Sequence, residues 1–88
     1  MQKIHKKEKR LYKKYISVLT RMEKDERLIP VSIIWDNDVQ FSIDKIYKIS
    51  NKASVVGGCG VCYECLIGGQ RRNLYFERTR WFIESVKP

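Results

Sequence analysis

A single histidine, His5, is present in 88 residues, and it sits in a lysine-rich arm away from every patterned segment, so the commonest general base is missing from the body of the chain. No serine or cysteine has a base beside it in sequence, and Asp36, Asp38, Asp44, Glu77 and Glu84 fall in turns or on strand faces without a paired pattern. Catalysis is not expected. The glycines follow neither the Rossmann nor the P-loop spacing, which excludes a phosphate-cradling loop of those types. No apolar run approaches the roughly 20 residues needed to cross a bilayer, and no apolar core follows the basic amino terminus. Neither a membrane span nor a secretory signal is expected. Three cysteines make an odd set, unlike a disulfide framework, so a reduced cytoplasmic setting is the expectation. Internal repeats and low-complexity linkers are absent.

What is present suffices for one small domain. A hydrophobic fraction of 43% and ten aromatic residues can supply a core. The net charge of +8 is unevenly spread, because residues 1–14 carry seven Lys or Arg against one Glu and leave +2 for all the rest. These fourteen residues read as a basic arm with partial helical character. A solvated charge run is the ordinary fate of such a segment, and electrostatic contact with nucleic acid or an acidic protein is the functional one.

Along the rest, residues 15–88, period-two alternation dominates. Leu11 to Met22 fits both a helical stripe and a strand, and the β-branched content of Tyr15 to Thr20 favours a hairpin with the next segment. Leu28 to Trp35 alternates with Ile29, Val31, Ile33 and Trp35 on one face, and Pro30 belongs at a strand start or sheet edge. Asp36, Asn37 and Asp38 form a three-residue hairpin loop. Val39, Phe41 and Ile43 continue the alternation, which then stutters, since Ile46 falls three positions on. Such a break predicts a bulge that lets one long strand serve two sheets. Ser50 to Ser54 reads as a polar connection. Gly57, Gly58 and Gly60 around Cys59 permit a tight bend or a close backbone approach. A strand Val61–Ile67, a reversal around Gly68 to Arg71, a strand Asn73–Glu77, a loop Arg78 to Arg80 and a final strand from Trp81 complete the chain. The fold class expected is mainly β, a single small antiparallel half-open barrel, SH3-like, of five to six strands.

The succession PVSIIWDNDVQFSIDKIYKI, GGCGVCYECLIGG and LYFERTRWFIES resembles a group of short, uncharacterised bacterial proteins in which a W-x-[DN]-[GD] hairpin, an I-D-K-[IV] segment, a GGxGxxY strand and a terminal WF[IV]E strand recur. The resemblance covers roughly Tyr15 to Ser85. It implies an all-β single domain, favours a strand at Tyr15 to Met22, and brings no activity with it.

Three groups of residues are candidate sites. Cys59, Cys62 and Cys65 form C-x2-C-x2-C, but the fourth position of that pattern is Gly69. In a regular strand Cys62 and Cys65 point to opposite faces, so packing is the expected role, with a metal or redox site as the alternative and no cofactor expected. Arg71, Arg72, Arg78 and Arg80 lie near Tyr75 and Trp81 in the last hairpin, where they pair with Glu77 and Glu84 or else grip phosphates beside a stacking ring. Trp35 and Trp81 read as core. The leading functional expectation is nucleic-acid contact by Lys3, Lys6, Lys7, Lys9, Arg10, Lys13 and Lys14 together with those arginines and Tyr75. A protein-interaction module, or a homodimer through an uncovered sheet edge, is the rival.

Overall fold

The alternating segments form six strands, β1 (Leu11–Met22), β2 (Leu28–Ile34), β3 (Gln40–Ala53), β4 (Cys59–Ile67), β5 (Gln70–Glu77) and β6 (Arg80–Val86), with a 3-10 turn at Asp36–Asp38. They are seen in a computed structural model that describes residues 11–86. Each strand pairs antiparallel with the next, and β1 pairs with β6 to close a six-stranded barrel. The protein is thus mainly β. Among the described residues no helix is long and apolar enough to cross a membrane.

Two strands are shared between the halves of the wall. Residues 11–16 of β1 pair with β6 and residues 17–22 with β2. In β3, residues 40–42 pair with β2 and residues 43–53 with β4. The stutter after Ile43 is the device that allows this, because the β3–β4 register slips between Ile43 and Lys45 and again between Ile46 and Lys48. β2 and β3 meet through only three residue pairs and then diverge, which leaves the wall thin at that point.

Parity places the core. Tyr63, Cys65, Ile67, Leu74, Trp81, Ile83 and Ile33 face the interior and are buried, with Ile16, Val18, Leu28, Trp35, Ile43, Ile46, Val61 and Phe76 packed against them. Burying a side chain such as Leu74 or Ile83 is worth about 1.5–3 kcal/mol. The Tyr63 hydroxyl, carried inside, donates to the Leu28 carbonyl at 2.6 Å and ties β4 to the start of β2.

Several expectations are corrected. β2 does not keep one face throughout, because Leu19 pairs with Ser32 and Thr20 with Pro30, leaving Val31 as a bulged residue. Val31 is therefore exposed while Pro30 is buried, and Leu28 joins the same interior as Ile33. Pro30 stands beside the bulge, where the ladder is already interrupted. Ser50 to Ala53 are not a connection but the end of β3, and the connection is residues 54–58. The arm is shorter than its charge suggested, since β1 begins at Leu11 and brings Lys13 and Lys14 into the barrel wall.

The turns follow their residues. Asn37 and Asp38 adopt positive φ in the β2–β3 loop, closed by the Trp35 N–H donating to the Val39 carbonyl at 2.7 Å. Gly68 and Gly69, both at positive φ, make a two-residue β4–β5 hairpin. Gly60 is needed for another reason, because a Cβ there would run into the Phe76 carbonyl across the β4–β5 ladder.

Candidate functional site

The outer faces of β3, β4 and β5 carry a group of basic residues. The two register slips in β3 put Lys45 opposite Leu66, Lys48 opposite Glu64, Ser50 opposite Cys62 and Lys52 opposite Gly60, all on the outward side of β4. Without the slips, the three-residue step from Lys45 to Lys48 would send one of them inward. Arg71, opposite Leu66 on β5, falls on the same face. Its guanidinium lies 3.9 Å from the centroid of Tyr47, and the Lys45 ammonium lies 4.9 Å from that ring. Tyr47 stays 38% exposed, so part of its ring is still open to a ligand. Glu64, 4.0 Å from Arg71, is the acid that borders this group.

Further round the barrel, the same outer surface is closed. Cys62, Tyr75 and Phe82 form a second small core outside the barrel, with Val56 of the 54–58 connection packed on it. The rings of Tyr75 and Phe82 stack at 4.8 Å, and Tyr15 meets Phe82 edge-on at 5.9 Å. Glu84 fastens the connection down. Its carboxylate accepts from the Ser54 hydroxyl at 2.9 Å, the Val55 N–H at 3.3 Å, the Tyr75 hydroxyl at 3.0 Å and the Asn73 amide at 3.4 Å. Burial raises the pKa of the Cys62 thiol and, more strongly, that of the Tyr75 hydroxyl.

The expected site residues separate in space. Arg71 and Arg72 lie at the start of β5, whereas Arg78 and Arg80 lie at its far end, roughly 20 Å away along the strand. They are two groups and not one hairpin cluster. Arg80 stacks on Tyr15 at 3.9 Å and donates to its hydroxyl at 3.1 Å. Arg78 occupies the β5–β6 turn at positive φ. Tyr75 cannot offer a stacking face, because it is 1% exposed. Lys13 is engaged with Glu77 at 3.3 Å and sits 4.5 Å from the Phe82 ring. Lys14 pairs with Asp36 at 2.9 Å and lies 5.1 Å from the Trp35 ring. Lys3, Lys6, Lys7, Lys9 and Arg10 lie outside the described residues.

The cysteines do not converge. Cys59 is exposed at the start of β4, Cys62 is buried in the outer cluster and Cys65 is buried within the barrel. Among the described residues no group of three or more His, Cys, Asp or Glu is arranged to hold a metal ion. Burial pushes the Cys65 thiol up to about 12, so it stays protonated and unreactive at neutral pH.

Lys45, Tyr47, Lys48 and Lys52 are absent from the sequence-based candidates. Their signal was the stutter itself, since only a bulged strand brings lysines spaced three, then four apart onto one side. The protein belongs, by its architecture, to the small closed antiparallel β-barrels. Compared with known proteins, the chain matches no family model, no curated protein and no solved structure.

Proposed function

We propose that the protein is a non-catalytic binding protein that contacts single-stranded nucleic acid across the outer face of β3, β4 and β5. The observation in its favour is that Lys45, Lys48, Lys52 and Arg71 share one outward face, on which Lys45 and Arg71 flank a partly exposed tyrosine, with Glu64 beside Arg71. Phosphates are held by exposed cations without sequence preference, and the uncovered part of the Tyr47 ring is left for a base. The arm, with Lys6, Lys7, Lys9 and Arg10, adds charge to the same contact.

Binding of a labelled mixed-sequence single strand, followed by anisotropy, tests this. Four phosphate contacts give a slope of log affinity against log salt of about −3. Lys48→Glu with Lys52→Glu is expected to weaken binding at least tenfold, whereas Lys24→Glu, on the β1–β2 turn and outside the β3–β5 face, is expected to leave it nearly unchanged. No binding at low salt would end the proposal.

One observation favours the rival, association through a sheet edge. Among the described residues, β3 from 43 to 53 has a partner on one side only. A second copy added antiparallel along that edge would bring the same lysines side by side, which is repulsive. An acidic extended segment fits the edge better than a copy does. A mass that rises with concentration in sedimentation would reverse that preference.

A further inference from the structure

A recess opens at the end of the barrel where the β2–β3 loop approaches the β4–β5 turn. Ile33, Trp35, Phe41 and Ile67 wall it, Gln70 and Arg72 stand at its rim, and it encloses about 270 Å³. Phe41 is 39% exposed and Trp35 is half-buried, so both rings remain partly uncovered. Arg72 and Trp35 also line a neighbouring groove of about 500 Å³ that runs past Arg71. The groove thus joins the recess to the basic face, since Arg71 is the residue stacked on Tyr47.

Arg72 has a charge without a counterpart. It faces inward, opposite Cys65, and is half-buried. Its hydrogen bond is a 3.5 Å approach to the Glu84 carbonyl, and among the described residues no carboxylate lies within ion-pair distance of it. Glu84's own carboxylate is occupied by the 54–58 connection. A half-buried guanidinium in that condition favours an acceptor supplied from outside.

The chemistry around Arg72 narrows the ligand. The recess is at the small end of ligand pockets, which excludes a long apolar chain. Its aromatic wall suits a flat ring. The Gln70 amide both donates and accepts, and the Arg72 fork donates, which together can pair with the edge of a heteroaromatic ring. We propose that the barrel mouth holds one unstacked nucleobase of the bound strand, stacked on Trp35 or Phe41, with Gln70 and Arg72 on its edge and Arg71 on the flanking phosphate. This deepens the proposed function and rests on it.

Tryptophan fluorescence of the full chain is the readout, because Trp35 lines the recess while Trp81 is buried in the core. A mixed-sequence single-stranded octamer and an octamer of abasic sugar-phosphate are compared at the same low salt. The base-bearing octamer is expected to quench emission and to bind about tenfold more tightly than the abasic one, which leaves emission unchanged. Trp35→Phe removes the quench, which assigns the signal to the recess. Arg72→Ala is expected to reduce the preference for bases about tenfold, and Phe41→Ala, at an exposed position, makes the same test without disturbing a half-buried charge.

Equal affinity for both octamers with unchanged emission would overturn the recess proposal and leave the basic face standing as a polyanion site. Failure of both octamers to bind would instead sink the underlying nucleic-acid reading, and the recess with it.

Discussion

At the residue scale, side chains of one type have opposite fates according to which way the strand turns them. Cys59 is exposed while Cys62 and Cys65 are sealed on opposite sides of β4. Native protein is therefore expected to release one equivalent of thiol to a disulfide reagent, and three after denaturation. Glu84 controls the native value, because it holds the 54–58 connection over Cys62. Glu84→Ala leaves the buried Tyr75 hydroxyl without its acceptor, and is expected to cost about 2 kcal/mol and raise the native thiol count to two. An unchanged count would mean that the connection stays closed without Glu84. The same burial makes stability depend on alkaline pH. The Cys65 thiol ionises at about 12 in the folded chain against 9.0 ordinarily, so its contribution is complete below pH 9.0 and is lost as the pH rises towards 12. Cys62, Tyr63 and Tyr75 are shifted in the same direction. The urea midpoint is expected to fall above about pH 9, and to fall less steeply in Cys65→Ala.

At the element scale, β3 is the strand whose geometry matters most. Its two bulges fit one strand into two parts of the wall, bring three lysines to one face, and leave an edge unpaired among the described residues. Bulges and lysines are also the means by which edges resist pairing with other chains. Replacing Lys45, Lys48 and Lys52 together by threonine removes the repulsion and raises strand propensity. The triple variant is expected to associate at concentrations where the parent sediments as a monomer. A variant that remains monomeric would show that the bulges alone protect the edge. The β2 bulge at Val31 has a simpler role, since it lets Leu28 and Pro30 share an interior with Ile33.

At the scale of the whole molecule, closure depends on six pairs, Leu11–Ile16 of β1 against Trp81–Val86 of β6. Half of the net charge of +8 lies before them, with Lys3, Lys6, Lys7, Lys9 and Arg10 against Glu8. Removing residues 1–10 is expected to leave the melting temperature within about 4 °C of the parent while making the salt dependence of binding shallower. Removing residues 1–16 opens the ring and is expected to abolish cooperative unfolding. The strands from Leu28 onward, the turn at Asp36–Asp38, a reversal around Gly68 to Arg71 and the inward set of β4 were legible in the sequence, because period two and turn chemistry are local properties, whereas Leu11 to Met22 fitted helix and strand alike. Three features were not legible. The bulge at Val31 is hidden because Leu28 to Trp35 alternates well in either register, and only pairing with β1 selects one. The burial of Cys62 and Tyr75 on the outward face depends on a connection folding back over them. Arg71 and Arg80, nine positions apart in one hairpin, end at opposite ends of β5 because a strand is extended, yet Arg71 shares the ring of Tyr47 with Lys45 of another strand. Alternation and turn residues thus determined that this chain is a small antiparallel barrel. Which of its cations share a surface was decided by register and closure, which bring together residues distant in the chain and leave no trace in local pattern.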